Sequence, residues 1–167
     1  MEPQAAIVNY YHPKSTMGGH VDDAELDLSL PLVSLSLGLS AVFLCGGRTR
    51  DVAPTALWLR SGDAVIATGP ARLCYHGVPR IMAGTSPGFL TDAESYTRLL
   101  NAPGSESFRD CSDIAETAAV TAEFMGASRL NVNVRQVVSD RCGFTDGETT
   151  VLGNQSMRGA SQSMGGE

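Results

Sequence analysis

The feature that most constrains the fold is a series of short β-type segments in the first half of the chain, with no helical pattern between them. The segments AAIVNYY (residues 5–11) and VSLSLGLSAVFL (residues 33–44) are the clearest, and serine alternates with leucine over Val33–Leu37. This period of two is typical of a half-buried strand. TALWLR, AVIATG and ARLCYHGVPRI continue the series to residue 81, and HPKSTMGG (residues 12–19) predicts a turn. Many short strands with glycine- and proline-rich turns predict a mainly β protein, a sandwich or a barrel.

The succession of short β-type segments stops after residue 82. We predict an irregular insertion with helix over residues 83–126, including a helical turn near Glu94–Leu99 and a short helix over residues 113–125. The buried stripe of that helix is predicted from its spacing and comprises Ile114, Ala118, Thr121 and Phe124. Residues 1–138 are expected to form one domain, and residues 139–167, rich in glycine and polar residues, a disordered tail.

Composition narrows the setting of the protein. The net charge of −6 argues against a protein that coats nucleic acid non-specifically. No apolar run is long enough for a membrane helix, the N-terminus has no signal-peptide pattern, and no C-x-x-C pair occurs among the four cysteines. We therefore expect an intracellular protein with reduced thiols and no membrane partner. The compartment (nucleus, cytoplasm or mitochondrion) and the oligomeric state stay open.

The stretch GGHVDDAE contains a candidate metal motif. His20 and Asp22 are two residues apart, so on an extended chain both side chains leave the same face. His76, at the end of a predicted strand, could complete a 2-His-1-carboxylate set, which leaves open positions on Fe(II). A surface turn for the first pair and a buried core histidine for His76 are the plain alternatives.

A polar strand in the second half of the chain supports the metal hypothesis, because it could bind a diacid beside the metal. RLNVNVRQVV alternates strictly over residues 129–135, so the side chains of Arg129, Asn131, Asn133 and Arg135 share one face. That face is either solvent-exposed or lines a polar pocket. The two arginines stand about 20 Å apart on an ideal strand, so one five-carbon diacid reaches both only if their side chains lean inward or the strand bends.

Four motifs in order carry a family resemblance. NYYHPKSTMGGHVD, PLVSLSLG, LRSGDAVIATGPARLCYHGVPRI and RLNVNVRQV together resemble the AlkB family of Fe(II)/2-oxoglutarate dioxygenases, and most of all its eukaryotic AlkB homologue 1 branch. The resemblance covers residues 5–82 and 127–138. It implies a double-stranded β-helix, or jelly roll, holding iron in its mouth. It also implies oxidative demethylation of N-alkylated bases in RNA or DNA, with Fe(II), 2-oxoglutarate and O₂ consumed and formaldehyde released.

The resemblance also implies site residues. By position, the iron ligands fall on His20, Asp22 and His76. The 2-oxoglutarate contacts fall on Asn9, Tyr11, Arg129, Asn131 and Arg135, with Arg129 and the tyrosine at the distal carboxylate and Arg135 near the carboxylate that chelates iron. Arg50 corresponds to a basic loop residue near nucleic acid, although a solvated surface charge is an equal interpretation.

The chain also departs from the family's pattern. Relatives carry a large N-terminal segment, with elements that grip the nucleotide, before the strand that here begins at Ala5. We therefore expect weak nucleic-acid binding by the 167 residues alone. Ala24 stands where the bacterial enzyme has an acidic residue, so base preference does not transfer. Two alternatives remain, a 2-oxoglutarate dioxygenase acting on a protein side chain and a non-catalytic remnant.

Overall fold

The computed structural model describes residues 1–105 and 113–137, which contain eight β-strands, two α-helices and two short 3-10 helices. The helices are α1 (Ala93–Leu100) and α2 (Ile114–Ala127), and the 3-10 helices are Gly69–Leu73 and Gly88–Leu90. The strands are β1 (Ala5–Tyr11), β2 (Met17–His20), β3 (Leu32–Gly38), β4 (Ser40–Cys45), β5 (Thr55–Leu59), β6 (Ala64–Ala67), β7 (His76–Met82) and β8 (Arg129–Arg135). The predicted mainly β class is confirmed.

The strands form two four-stranded antiparallel sheets. Their orders are β1-β8-β3-β6 and β2-β7-β4-β5, so β8, from the far end of the described chain, pairs with β1 and β3 in the middle of the first sheet. Chain neighbours β3 and β4 lie in different sheets. This arrangement of two facing sheets is the predicted jelly roll.

The switch between sheets occurs at Gly38 and Leu39. Gly38 has φ +76°, a region that side chains with a Cβ rarely adopt, and an added Cβ would overlap the backbone carbonyl oxygen of Ser128. The next residue, Leu39, is fully buried in the core cluster with Tyr11, Ala41, Val78 and Ile81. The apolar core therefore packs beside the crossover and leaves room between the sheets for polar side chains.

Some predicted boundaries are corrected by the structure. The predicted turn over residues 12–19 contains β2 from Met17 onward, because these residues pair with β7. The predicted strand over residues 71–81 begins only at His76, since residues 71–73 belong to the 3-10 helix Gly69–Leu73. Strand β1 matches its prediction, and the helical turn near Glu94–Leu99 is a full helix of eight residues, α1.

Helix α2 lies where the sequence predicts it, but its buried face is shifted. Asp113 caps its first turn by accepting from the backbone N–H of Glu116 at 2.9 Å. Ala118, Ala122 and Met125 are buried, whereas Phe124, predicted as buried, is 38% exposed. Its ring instead meets the ring of Tyr10 edge-on, at 6.1 Å between centroids.

Strand β8 separates its two faces as predicted. Its arginines and asparagines line a cavity between the sheets, which decides between the solvent and pocket alternatives. Residues 139–167, predicted as a tail, lie outside the described residues, so that prediction and the domain boundary at 138 stay predictions. Among the described helices, none has the length and apolar character to cross a membrane.

Candidate metal centre

His20 and His76 form a cross-strand pair at the mouth of the cavity. They are register partners in the antiparallel pair β2–β7, and their ring centroids lie 4.4 Å apart. The Nε2 atom of each ring is 3.6 Å from a different carboxylate oxygen of Asp22. One potential ligand atom from each of the three residues falls within 4.8 Å of the others. The structure thus brings together all three predicted ligands.

Hydrogen bonding favours the ring form that a metal needs. The Nδ1 atom of His20 is 3.0 Å from the carbonyl oxygen of Gly18, and that of His76 is 3.3 Å from the carbonyl oxygen of Cys74. A carbonyl only accepts, so we assign the proton to Nδ1 in both rings. In each neutral ring Nε2 is then the atom left to bind a metal, with the ring oriented as outer-sphere carbonyls orient metal-ligating histidines, whereas in protonated His76 the Nε2–H donates to Asp22.

The pKa values of this set reflect burial opposed by mutual attraction. For Asp22, burial is the largest influence and raises the pKa, but the hydrogen bond with His76 and the charge of Arg135 outweigh it. The pKa of Asp22 is therefore below its usual range. For His76, burial is the largest single influence and lowers the pKa. The hydrogen bond to Asp22 and the charge of Asp22 together outweigh burial, so the net pKa is above the ordinary histidine value.

The donor set fits a ferrous ion. Two neutral imidazoles and one carboxylate match the set that holds non-haem Fe(II) with positions left open. The three side chains are only partly exposed, at 35%, 13% and 24% for His20, Asp22 and His76. The cluster is thus sheltered yet still reachable from the mouth of the cavity.

Arg129 lies at another part of the same cavity and has unused hydrogen-bond donors. It is 1% exposed, and its Nη2 atom donates to the Ser36 hydroxyl at 2.9 Å. Its Nε and Nη1 atoms are buried and have no partner among the described residues. Burial of the guanidinium lowers its pKa, opposed by the nearby Tyr11 and Asp63. A buried cation with free donors is costly unless an anion pairs with it, so this site fits a carboxylate.

Tyr11 lies directly opposite Arg129 in the β1–β8 pair. Its pKa is raised, first by burial and also by the charge of Asp22, while Arg129 opposes the shift. The pKa of Tyr11 is thus influenced by the carboxylate of Asp22 and by the buried guanidinium of Arg129. Tyr11 lines the same cavity as Arg129, and its hydroxyl donates to the sulfur of Met17 at 3.6 Å.

Asn9 and Asn131, the two asparagines expected to contact 2-oxoglutarate, form part of the cavity wall. Asn131 donates to the Ser34 hydroxyl at 2.6 Å and to the carbonyl oxygen of Leu35 at 3.1 Å, and it accepts from Asn9 at 3.5 Å. The cavity has a volume of about 180 Å³, well below the roughly 300–1,000 Å³ of sites for drug-sized ligands. Its size suits a small organic acid rather than a nucleotide.

Arg135 is at the metal end of the cavity, with its Nη2 atom 3.4 Å from Oδ1 of Asp22. Although the two arginines stand about 20 Å apart on an ideal strand, both line the same cavity. Arg129 and Arg135 line one cavity from different positions along it, one beside Ser36 and the other beside the metal ligands.

Sequence reasoning missed two charged residues at this end. Arg72 and Glu25 are buried, and Glu25 contacts both Arg72 and Arg135. Arg72 stands two residues before Cys74 in a segment predicted as strand, and Glu25 lies in a polar loop where a surface position is the default. Their only sequence signal was proximity to the candidate ligands. Asn133 also lines the cavity, with a buried Oδ1 atom that has no described partner.

Arg50 lies apart from this cavity. It is exposed, donates to the carbonyl oxygen of Gly19 at 3.1 Å, and places its guanidinium 5.0 Å from the ring centroid of Tyr75. These residues line a second, open groove that also touches His76. The structure therefore puts Arg50 near the metal ligands but outside the polar cavity.

Comparisons with known proteins point to one family. Residues 1–135 match the 2OG-Fe(II) oxygenase superfamily. Over 135 residues the chain is 42% identical to a protein of Arabidopsis thaliana named DNA N(6)-methyladenine demethylase ALKBH1A, covering 81% of this chain and 34% of that one. Over 87 residues it is 48% identical to the tRNA demethylase abh1 of Schizosaccharomyces pombe, covering 52% of this chain and 29% of that one.

A solved structure gives the same result. The structure described as that of OsALKBH1 superposes with a TM-score of 0.57 and 30% sequence identity, covering 81% of this chain and 51% of that one. The chain spans about a third of the length of the curated relatives of this type. The similarity therefore concerns the jelly-roll core that carries the candidate metal centre.

Proposed function

This chain belongs to the 2OG-Fe(II) oxygenase superfamily, and from that premise we propose that it is the catalytic core of an Fe(II)- and 2-oxoglutarate-dependent demethylase acting on N-alkylated bases in RNA or DNA. One observation supports the proposal most directly. A His-Asp-His cluster and a buried arginine with free donors line the same small cavity.

The residues divide the work of binding. His20, Asp22 and His76 hold the iron, with both imidazoles oriented by backbone carbonyls. Arg129 binds the distal carboxylate of 2-oxoglutarate, assisted by the hydroxyl of Tyr11, and Arg135 lies by the end that meets the metal. Asn9 and Asn131 complete the polar wall. When bound, Fe(II), 2-oxoglutarate and O₂ supply the chemistry that hydroxylates an N-methyl group, which then leaves as formaldehyde.

The substrate class is inferred from the named relatives, one a DNA demethylase and one a tRNA demethylase. The cavity is too small for a nucleotide beside the co-substrate, so a methylated base would have to be turned out of its stack and presented at the mouth. We propose that Arg50, in the groove beside His76, lies near the nucleic-acid backbone.

We expect the 167-residue chain alone to bind nucleic acid weakly. Phosphate contacts normally dominate affinity for nucleic acid, and the net charge here is −6. Three exposed arginines, Arg48, Arg50 and Arg60, are too few to replace a dedicated basic surface. Strong binding would thus need basic residues beyond those of the described core.

The test is formaldehyde release from oligonucleotides carrying N1-methyladenosine in RNA or N6-methyladenine in DNA, with Fe(II), 2-oxoglutarate and O₂ supplied. The proposal expects formaldehyde from a methylated strand, none from its unmethylated counterpart, and none from Asp22→Ala. If methylated peptides release formaldehyde and nucleic acids do not, the substrate is a protein side chain. If neither substrate reacts and no succinate forms, the chain is a non-catalytic remnant.

A further inference from the structure

Asp22 differs from its two histidine partners in how the fold holds it. His20 ends β2 and His76 begins β7, so the sheet fixes both backbones relative to each other. Asp22 lies beyond the end of β2, and residues 21–31 contain neither strand nor helix. Because no sheet hydrogen bonds position this carboxylate, other contacts must do so.

Those contacts form a closed ring through Glu25. Arg72 donates to the backbone carbonyl oxygen of Asp22, and it also pairs with one carboxylate oxygen of Glu25 at 2.5 Å. The other carboxylate oxygen of Glu25 accepts from Arg135. Arg135 closes the ring with its Nη2 atom, 3.4 Å from Oδ1 of Asp22. Residue 22 is thus held through its backbone on one side and its side chain on the other.

This ring is sheltered from solvent. The side chains of Arg72, Glu25 and Arg135 are 2%, 4% and 11% exposed. Ion pairs at the surface are worth little, but breaking a buried pair leaves an uncompensated charge in a poorly solvated place. The contacts of Glu25 therefore have consequences that a surface glutamate would not have.

We propose that Glu25 is a positioning residue of the metal centre, which keeps the carboxylate of Asp22 available to the metal by occupying the guanidinium groups of Arg135 and Arg72. This inference deepens the proposed function and rests on the proposed metal site. Glu25 does not touch the metal position, and it acts through the two arginines.

Charge balance explains why a neutral replacement would weaken metal binding. The ring holds two guanidinium cations and two carboxylates, Glu25 and Asp22. Without the charge of Glu25, Asp22 is the one carboxylate left in the ring for both arginines. Arg135 is already within ion-pair distance of Asp22 Oδ1, so it would compete with the metal for that oxygen. The buried Nε atoms of both arginines already lack a partner among the described residues, so the loss of Glu25 would leave further buried donors unpaired.

The expected loss of metal affinity is estimated from other metal sites. Removing an outer-sphere partner that orients a ligand typically lowers metal affinity by about 10- to 100-fold. We expect Glu25→Gln, which keeps the shape and removes the charge, to lower affinity within this range. Glu123→Gln, on the exposed side of α2, changes the net charge equally far from the site and is expected to leave affinity unchanged.

The experiment is a titration of the purified 167-residue protein with Mn(II) alone, followed by the electron paramagnetic resonance signal of free Mn(II), together with thermal unfolding of each metal-free variant. Weaker Mn(II) binding by folded Glu25→Gln, with wild-type binding by Glu123→Gln, supports the proposal. A lower unfolding temperature with unchanged Mn(II) affinity would show that Glu25 only stabilises the fold, and would overturn it.

If Glu25→Gln does not fold, the Mn(II) titration of Arg72→Lys tests the proposal instead. A lysine keeps the positive charge but has no planar fork to contact Glu25 and the Asp22 carbonyl together. We expect at least about fivefold weaker Mn(II) binding from the loosened ligand, and wild-type affinity would overturn the proposal. The titration involves no nucleic acid, so a wild-type protein that binds Mn(II) but releases no formaldehyde would contradict the proposed function and leave this inference standing. A wild-type protein that binds no Mn(II) would overturn both.

Discussion

The imidazole rings of His20 and His76 lie 4.4 Å apart, centroid to centroid, on adjacent antiparallel strands that pair these two residues directly. His76 follows His20 by 56 positions and Asp22 by 54 positions in the sequence. The register of β2 against β7 nevertheless brings it to the same candidate metal position. Two of the three proposed ligands are already adjacent in the fold, so we expect metal binding to require no rearrangement of β2 or β7.

The first prediction concerns the carboxylate ligand. Replacing Asp22 by alanine removes the one anionic ligand of the set, so we expect loss of the visible absorption band that forms when Fe(II) and 2-oxoglutarate are added without oxygen. Asp23→Ala is the matched control, because Asp23 is the exposed neighbour and makes no contact with the histidines among the described residues. A band of full intensity in Asp22→Ala would contradict the assignment.

Arg129 provides a test of the co-substrate site. Arg129→Lys keeps the charge but loses the planar fork that pairs with a carboxylate, so we expect binding of 2-oxoglutarate to weaken by about 10- to 100-fold. Calorimetry with 2-oxoglutarate measures this change. Affinity for Mn(II) should stay near wild type, as should both affinities in Arg80→Lys, where the arginine is exposed on β7. An equal loss of metal and co-substrate binding would mean that Arg129 supports the fold instead.

Metal affinity is expected to rise with pH. The pKa of His76 is raised above the ordinary value of about 6.5, and metal binding requires its Nε2 atom to be unprotonated. The pKa of Asp22 is lowered, so its carboxylate is charged throughout this window. Titration with Mn(II) at about pH 6 and about pH 8 should therefore show tighter binding at the higher pH. An affinity independent of pH would exclude His76 as a ligand.

The metal-free protein should show the opposite trend over the same window. The raised pKa of His76 means that its protonated pairing with Asp22 stabilises the folded state below the unfolded pKa. This contribution is lost as the pH rises through the folded pKa. Chemical unfolding without metal should detect the decrease, and His76→Gln should remove it. A decrease of the same size in His76→Gln would assign it to another group.

Gly38 provides a prediction about the crossover between the sheets. Gly38→Ala introduces a Cβ at φ +76° that overlaps the Ser128 carbonyl oxygen, so the cost exceeds the roughly 1–2 kcal/mol of the left-handed conformation alone. Gly84→Ala is the control, since its φ of +71° is similar and an added Cβ meets nothing within 4 Å. Urea unfolding should give a larger loss of stability for residue 38. Equal losses would show that the backbone beside Ser128 relaxes without cost.

Much of the fold could be predicted because period-two alternation reports local burial. The two faces of β8 follow from it directly, since alternating side chains point to opposite sides of a sheet. The pattern failed at β2, where glycines favour a turn and only pairing with β7 makes a strand. It failed also at Phe124, because the neighbouring elements decide which stripe of a helix is covered.

The identity and order of the candidate ligands could be predicted from local pattern, since His20 and Asp22 share a face of an extended chain and the four motifs around them resemble one family. How these groups lie relative to one another depends on the fold. The register of β2 against β7 sets the distance between the imidazoles, and the packing of a 3-10 helix against the loop after β2 buries Arg72 and Glu25 beside Asp22. Local pattern cannot report such contacts, because a buried ion pair depends on charges brought together from distant parts of the chain, each of which alone favours water.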